Sequence, residues 1–214
     1  MTEQDSEYYA QARPEMLEFV PPDTRRLLDI GCGQGRFGEA VKKALPGCET
    51  WGIELTPEAA AAAATRNDKV INGSFGDIGD LPKAYFDVIT MNDVLEHIDY
   101  SEPVLATVKT LLRPGGRLVL SLPNVRFYLH LRDLIFHKDW EYRDFGILDR
   151  THLRFFTQKS ASRLLQECGY RVEICKGINT HRLKLHYATL FGLAPRFFED
   201  MRYRQMALVA VPVD

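Results

Sequence analysis

The chain has 214 residues, 45% of them apolar and 26% charged, the balance of a folded globular protein rather than a disordered or membrane-spanning one. A formal net charge of −2 argues against a protein that coats nucleic acid or anionic lipid. No apolar run approaches the ~18 residues that a membrane helix needs, and the acidic start Met1-Thr2-Glu3-Gln4-Asp5 lacks the apolar core of a signal peptide. The expectation is one cytoplasmic domain over residues 1–214, with an N-terminal cap over 1–25. Its four cysteines, Cys32, Cys48, Cys168 and Cys175, are dispersed without zinc or iron–sulfur spacing and should be reduced.

Arg26–Ile30 reads as a buried strand closed by Gly31. A helix follows with Phe37, Val41, Ala44 and Leu45 on one face, and Pro46-Gly47 ends it. Residues 50–55 form the second strand. Thr56 and Pro57 then offer an N-cap and a first-position proline for the next helix. The third and fourth strands are 69–72 and 86–91, a helix spans 101–112, and the fifth strand is 117–121. This alternation predicts an α/β fold, a doubly wound and mostly parallel sheet with right-handed crossovers. Thr157 caps a helix through Cys168, and the last strands are 170–175 and 205–211. No helix separates a parallel pair there, so the final strand is expected to enter antiparallel. Two long excursions, 124–156 and 176–204, follow strand ends at which open α/β sheets bind ligands; they read as substrate-side inserts, the first of them a lid.

The stretch Leu28-Asp29-Ile30-Gly31-Cys32-Gly33-Gln34-Gly35-Arg36 carries the clearest chemistry. Its glycines let the backbone turn sharply out of a strand and approach a ligand closely, and the following helix aims free N–H groups at the same place. Cys32 suits the loop by its small size and is a packing choice before it is a nucleophile. Read from Gly31, the spacing is GxGxG rather than the GxGxxG of dinucleotide sites. Asp29 is placed to meet a ligand ammonium group, and Glu54, ending the second strand, to accept from both hydroxyls of a ribose.

Asp29-x-Gly31-x-Gly33-x-Gly35 followed by Glu54 resembles motif I and the strand-two acid of class I S-adenosylmethionine-dependent methyltransferases. The resemblance continues in order through Phe86-Asp87-Val88-Ile89, Asn92-Asp93-Val94-Leu95-Glu96-His97 and Leu112-Arg113-Pro114-Gly115-Gly116-Arg117-Leu118. The set is similar to the ubiquinone-biosynthesis type of small-molecule methyltransferase. It implies a seven-stranded sheet with an antiparallel last strand, S-adenosylmethionine as cofactor and a small-molecule substrate, with no nucleic-acid partner and the oligomeric state left open. Under the resemblance Gly31, Cys32, Gly33 and Gly35 wrap the methionine part beside Asp29, Glu54 binds the ribose diol, Leu55 lies against adenine and Asn92 sits near the sulfonium. The family's Gly-Asp after the third strand is missing: Gly73 is followed by Ser74-Phe75, so either that pair or Asp77 meets the adenine. The piece Tyr8-Tyr9-Ala10-Gln11-Ala12-Arg13-Pro14 resembles a cap whose Arg13 pairs with the cofactor carboxylate; the plain alternative is a solvated arginine on a surface helix.

Methyl transfer to an alcohol needs alignment and a positioned base. The candidates are His97 after the fourth strand, and Asp149 and His152 in Asp149-Arg150-Thr151-His152-Leu153-Arg154-Phe155-Phe156-Thr157, with Asn124 placed to orient the acceptor. The bland readings are a half-exposed helical histidine for His97 and an Asp149–Arg150 ion pair approaching a helix. The second run resembles a segment of bacterial methyltransferases acting on sugars and cell-surface polysaccharides, so O-methylation of a sugar or polysaccharide precursor is the expected reaction. His130, His137, His181 and His186 suit helix surfaces or lid packing. Phe127, Tyr128, Trp140 and Tyr142 either stack on an acceptor ring or seal the lid. The basic run Arg182, Lys184, Arg196, Arg202 and Arg204 suits a solvated face. Two alternatives stand: a nicotinamide-dependent oxidoreductase, which shares the glycine loop but would need a Tyr-x-x-x-Lys or similar set, and a non-catalytic S-adenosylmethionine-binding module.

Overall fold

The computed structural model describes residues 12–74, 76, 81–181 and 195–213. Seven strands, β1 (Arg26–Ile30), β2 (Glu49–Glu54), β3 (Lys69–Asn72), β4 (Phe86–Asn92), β5 (Leu112–Pro123), β6 (Tyr170–Thr180) and β7 (Tyr203–Pro212), form one sheet. Their order is β3-β2-β1-β4-β5-β7-β6. The first five are mutually parallel, while β7 enters antiparallel between β5 and β6. The strand order reverses between β1 and β4, which opens a crevice at their carboxyl ends.

Strand parity sorts the interior into two layers, because successive side chains leave a strand on opposite faces. Leu28, Ile30, Ile89, Met91, Leu118 and Leu120 face the helices Ser101–Leu111 and Gln158–Glu167, which contribute Leu105, Val108, Leu111, Ala161, Leu164 and Leu165. Their neighbours Leu27, Val88, Val119, Ala207 and Val209 face the Arg36–Ala44 helix and the 3-10 turn Pro14–Phe19, which contribute Phe37, Val41, Met16 and Phe19. No described helix is long and apolar enough to cross a membrane.

Several element ends differ from expectation, and for some the physical reason is plain. β5 begins at Leu112 because that residue already pairs with Phe86, before an irregularity at Phe86/Val88; Gly116 lies where a Cβ would come within 2.9 Å of the Arg113 carbonyl and 3.0 Å of the Phe86 carbonyl. β6 runs on to Thr180, since the long β7 offers it partners as far as Tyr203. Thr56 precedes its helix without capping it through its side chain; its backbone N–H is taken by Glu54 at 2.9 Å. Thr157 does cap, in a reciprocal box with Ser160. The insert after β5 is pinned at its root by a bridge between Asn124 and Phe156, and inside it a short helix, Tyr128–Arg132, widens into a π-turn over Asp133–His137.

Tyr170 is buried and its hydroxyl donates to the Leu105 carbonyl at 2.8 Å, tying β6 to the helix under β4 and β5. Tyr170→Phe is expected to cost about 1 kcal/mol, read as a fall in Tm of roughly 2–4 °C for a chain of this length with no change in ligand affinity.

Candidate active site

At the end of β1 the chain turns through Gly31, Gly33 and Gly35, with φ of 72°, 52° and 76°, a region in which a side chain is strained. Gly31 and Cys32 both donate N–H to the Ile53 carbonyl, at 2.9 and 3.0 Å, which fastens the loop to β2. A Cβ at Gly31 would stand 2.5 Å from a methyl of Val94. Glu54 is buried; one carboxylate oxygen accepts from Gly33 N and the other from Thr56 N, each at 2.9 Å, and each oxygen keeps a lone pair for a ligand. The neighbouring Leu55 is 70% exposed, an apolar surface without cover. At the end of β4, both amide atoms of Asn92 are buried without a hydrogen-bond partner among the described residues. A backbone cradle, a fixed carboxylate, a bare leucine and an unsatisfied amide around one crevice are the surfaces that a nucleoside carrying an amino-acid tail would complete.

The other sequence-derived cofactor candidates are placed less directly. Asp29 is buried and accepts from Thr90 Oγ1 at 2.6 Å; burial pushes its carboxyl up to about 7. Cys32 packs under Gly52, and burial holds its thiol well above the ordinary value, which agrees with packing rather than nucleophilic chemistry. Ser74 is exposed and its Oγ accepts from Gly76 N at 3.2 Å. Phe75 and Asp77 lie outside the described residues, as do Tyr8 to Gln11, Arg182, Lys184 and His186.

Arg13 is not the solvated arginine of a surface helix. It precedes the Pro14–Phe19 turn with φ 46°, and its guanidinium pairs with Asp93, donates to Ser121 Oγ at 2.7 Å and approaches Glu15 at 3.2 Å. Its partners in this structure are thus side chains of the chain itself. Asp93 also accepts from Ser121 Oγ at 2.9 Å and from Gln205 Nε2 at 2.7 Å. Asp93, Ser121 and Gln205 were not singled out by the sequence; only the antiparallel entry of β7 brings Gln205 to the end of β4.

Beyond this junction lies a cavity of about 790 Å³, whose wall includes Arg13, Asp93, Glu96, Phe127, His130, Asp149, His152 and Arg204. His152 is buried and its Nδ1 lies 3.1 Å from the Ile147 carbonyl. A carbonyl only accepts, so Nδ1 carries the proton and Nε2 the lone pair. His97 Nδ1 stands 3.2 Å from both the carbonyl and the hydroxyl of Thr151; that hydroxyl donates to Asp149, so Nδ1 carries the proton here too, and the two rings meet edge to face at 4.7 Å. Burial, with His152 second, pushes His97 below its ordinary value. Glu96 lies beside them, with a carboxylate oxygen within 4.8 Å of a nitrogen of each ring; it is wholly buried, and neither oxygen has a hydrogen-bond partner among the described residues, while burial, reinforced by Asp93, holds its pKa well above the usual range. One signal of this is legible in the chain, a carboxylate set among Val94, Leu95 and Ile98.

At the acceptor end the structure corrects the expectation for Asn124 and the ion-pair alternative for Asp149. Asn124 is buried and fully engaged: its Nδ2 donates to the Asp200 and Tyr203 carbonyls at 2.7 and 3.1 Å, and its Oδ1 accepts from Arg126 N at 3.1 Å. It clamps the root of the insert to β7 instead of facing an acceptor. Asp149 does not pair with Arg150, which reaches Asp144 at 2.8 Å; Asp149 folds back on Thr151, accepting from its N and Oγ1 at 2.8 and 2.7 Å. Trp140 packs edge-on between His130 and Phe155, at 4.6 and 5.2 Å, sealing the insert. Tyr128 OH lies 3.1 Å from His181 Nδ1 and His137 stands 3.3 Å from Asp133.

A family profile described as a methyltransferase domain matches residues 1–173. A "Ubiquinone biosynthesis O-methyltransferase" of Burkholderia pseudomallei is 30% identical over 173 residues, 77% of this chain and 72% of that protein. One of the same name from Coxiella burnetii is 29% identical over 168 residues, 75% and 69% of the two chains. Among solved structures, a SAM dependent methyltransferase from Archaeoglobus fulgidus superposes with a TM-score of 0.67 at 19% identity, covering 96% of this chain and 93% of that one. Another from Aquifex aeolicus gives 0.66 at 15% identity, covering 98% and 97%; at such identities the likeness is one of fold.

Two substitutions test these placements. The raised Asp29 pKa means that the folded chain keeps a proton the unfolded chain loses near 3.8. That part of the stability is complete below about pH 4 and is lost as pH rises to about 7. Asp29→Asn should therefore raise the Tm of the ligand-free protein more at pH 8 than at pH 5, by thermal unfolding in both buffers. Asn124→Ala should lower stability by on the order of 2 kcal/mol, roughly 4–8 °C in Tm; unchanged stability with turnover lost would restore Asn124 to the acceptor.

Proposed function

The chain belongs to the class I S-adenosylmethionine-dependent methyltransferases, and we propose that it methylates a hydroxyl of a small ring-bearing molecule, activated at Glu96, His97 and His152. The nicotinamide-dependent oxidoreductase reading falls with that membership, and so does the non-catalytic module. The observation that carries the proposal is the meeting of two surfaces at one point. The glycine loop, Glu54, Leu55 and Asn92 form the cofactor crevice, while Glu96 and His152 line the cavity whose wall also holds Asp93, one residue after Asn92.

S-adenosylmethionine supplies a methyl carbon made electrophilic by its positive sulfur, and the carbon–sulfur bonding pair stays on sulfur when an acceptor oxygen takes that carbon. Glu54 holds the ribose of the nucleoside end, and the glycine turn, whose N–H groups are donated within the chain, lets the backbone come close to the methionine part. Asp29, near neutral in its pKa, is placed to become a carboxylate when an ammonium group approaches. Asn92 brings an unsatisfied amide to the reacting end. The acceptor lies in the cavity, with its hydroxyl toward His152, whose proton sits on Nδ1 and whose Nε2 is the basic atom.

Oxygen as the acceptor atom is supported by relatives named as O-methyltransferases of ubiquinone biosynthesis. Those names give no support to a sugar or polysaccharide precursor, which rests on the run from Asp149 to Thr157 alone. The cavity wall offers Phe127, Phe145 and Ile147 to a ring, and Arg132, Arg143 and Arg204 to its polar substituents. The four free thiols, Cys32 and Cys48 of them buried, suit a cytoplasmic setting.

S-adenosylhomocysteine at about 100 times its Kd should stabilise the protein by roughly 2.7 kcal/mol, and NAD and NADP should not. With a panel of catechols, glycosides and amines, methyl transfer to the catechols is expected. His152→Ala should keep the thermal shift and lose about 10²–10⁴-fold in turnover. A shift with nicotinamide cofactors only, or transfer to amines only, would overturn the proposal.

A further inference from the structure

The glycine turn is fastened to β2 on one side by the Ile53 carbonyl. On the other side it is held by two residues outside the motif, Arg66 and Asn67, in the connection between the Pro57–Ala63 helix and β3. Arg66 Nη1 donates to the Gln34 carbonyl at 3.0 Å and to the Ala62 carbonyl at 2.8 Å. Asn67 is buried, and its Nδ2 donates to the Gly35 and Ala63 carbonyls at 3.3 and 3.2 Å. Both carbonyls only accept, so the atom that faces them is the amide nitrogen. Its Oδ1 is thereby turned to the Arg36–Ala44 helix, where it has no hydrogen-bond partner among the described residues. A Cβ on Gly38 would stand 1.9 Å from that oxygen, and a Cβ on Gly35 would stand 2.2 Å from Nδ2.

These contacts are not what satisfies the backbone. The Gly35 carbonyl already accepts from Glu39 N at 3.1 Å, and the Ala63 carbonyl from Asn67 N at 3.0 Å. An amide oxygen buried without a partner costs about as much as a hydrogen bond contributes, so Asn67 adds little to the stability of the fold. What it fixes is direction. A trans peptide sets its N–H opposite its C=O, so holding the Gly35 carbonyl toward Asn67 turns the Arg36 N–H away from it. That N–H opens the helix and has no partner within it. Gly35 sits at φ 76°, and the freedom of glycine leaves this peptide able to rotate unless a group outside the turn holds it.

We propose that Asn67 is a positioning residue for the cofactor. From behind the turn it locks the Gly35 peptide and the start of the Arg36–Ala44 helix in the orientation that receives the methionine part of S-adenosylmethionine. Gly35 and Gly38 leave room for the amide to reach them, which ties their identity to that of Asn67. Rigidity of this kind acts on affinity, because a turn already in its bound shape loses less freedom on binding. The role needs the cofactor of the family and none of the acceptor chemistry proposed above.

Calorimetric titration of the whole chain with S-adenosylhomocysteine tests it, with thermal unfolding of the same samples. Asn67→Leu keeps the size of the side chain and cannot donate. It should raise the Kd about 3–10-fold, the worth of one hydrogen bond, while the ligand-free Tm stays within about 2 °C of the parent. Gly38→Ala should weaken binding to a similar degree by pushing the amide aside. Combined with Asn67→Ala, it should bind no more weakly than Asn67→Ala alone. In turnover, the KM for S-adenosylmethionine should rise while kcat at saturating cofactor and the KM for the acceptor hold.

A parent-like Kd in both Asn67 variants, or losses that add in the double variant, overturns the role. A loss of affinity matched by an equal loss of ligand-free stability makes Asn67 a packing residue and overturns it as well. Asn67→Ala serves where Asn67→Leu does not fold. Methyl transfer to amines alone strikes the acceptor reading and, with the Kd changes as expected, leaves Asn67 in its role.

Discussion

The carboxylate of Asp93 holds the carboxyl end of the sheet together. It lies just past β4 in a left-handed conformation, φ 53°, which a non-glycine residue adopts at a cost. What offsets that cost is a convergence of donors: Arg13 from the N-terminal segment, Ser121 from β5 and Gln205 from β7. Removing one partner from such a set leaves charge poorly solvated, so the members stabilise one another far more than exposed ion pairs would. Through them Asn92 is fixed on one side and the turn bearing Glu96 and His97 on the other. Cofactor crevice and acceptor cavity are two sides of this one knot.

The two sides are built from different materials. On the side proposed for the cofactor the contacts are mostly backbone: a glycine turn fastened to β2, a helix N-terminus and a carboxylate clamped by N–H donors. Such contacts demand a conformation more than a composition, so they are shared widely among proteins of this fold. The cavity side is made largely of side chains from the segments after β4 and β5, with Arg204 and Gln205 from β7, and the sheet carries those segments without needing them. Fold and cofactor therefore follow from the frame, whereas the acceptor is decided by what the frame carries.

Legibility in the sequence divides along the same line. Gly31, Gly33 and Gly35 could be read because positive φ leaves few residues to choose from, and β1 to β4 because parallel strands between helices are short apolar runs with marked ends. Thr157 was legible as a cap because capping is local. What escaped the sequence is set by distant partners. The length of β6 depends on how far β7 reaches. Asn124 was read as facing an acceptor because it follows a strand, yet the carbonyls of Asp200 and Tyr203, more than seventy positions on, claim it. Arg150 took Asp144 over its neighbour Asp149. Nor does spacing bring Glu96, His97 and His152 together, since His97 and His152 are fifty-five positions apart.

The bridge between Asn124 and Phe156 bears on how such a protein diversifies. Because both ends of the intervening segment meet at the sheet, the segment is a cassette with fixed sockets. Exchanging or lengthening a loop whose ends are already joined costs little, about 0.6 kcal/mol for each doubling in length, and the strands do not register the change. A lineage can therefore rewrite the chamber of its catalyst while inheriting the frame intact, subject to one condition: any replacement must still present a histidine where His152 now returns to meet Glu96.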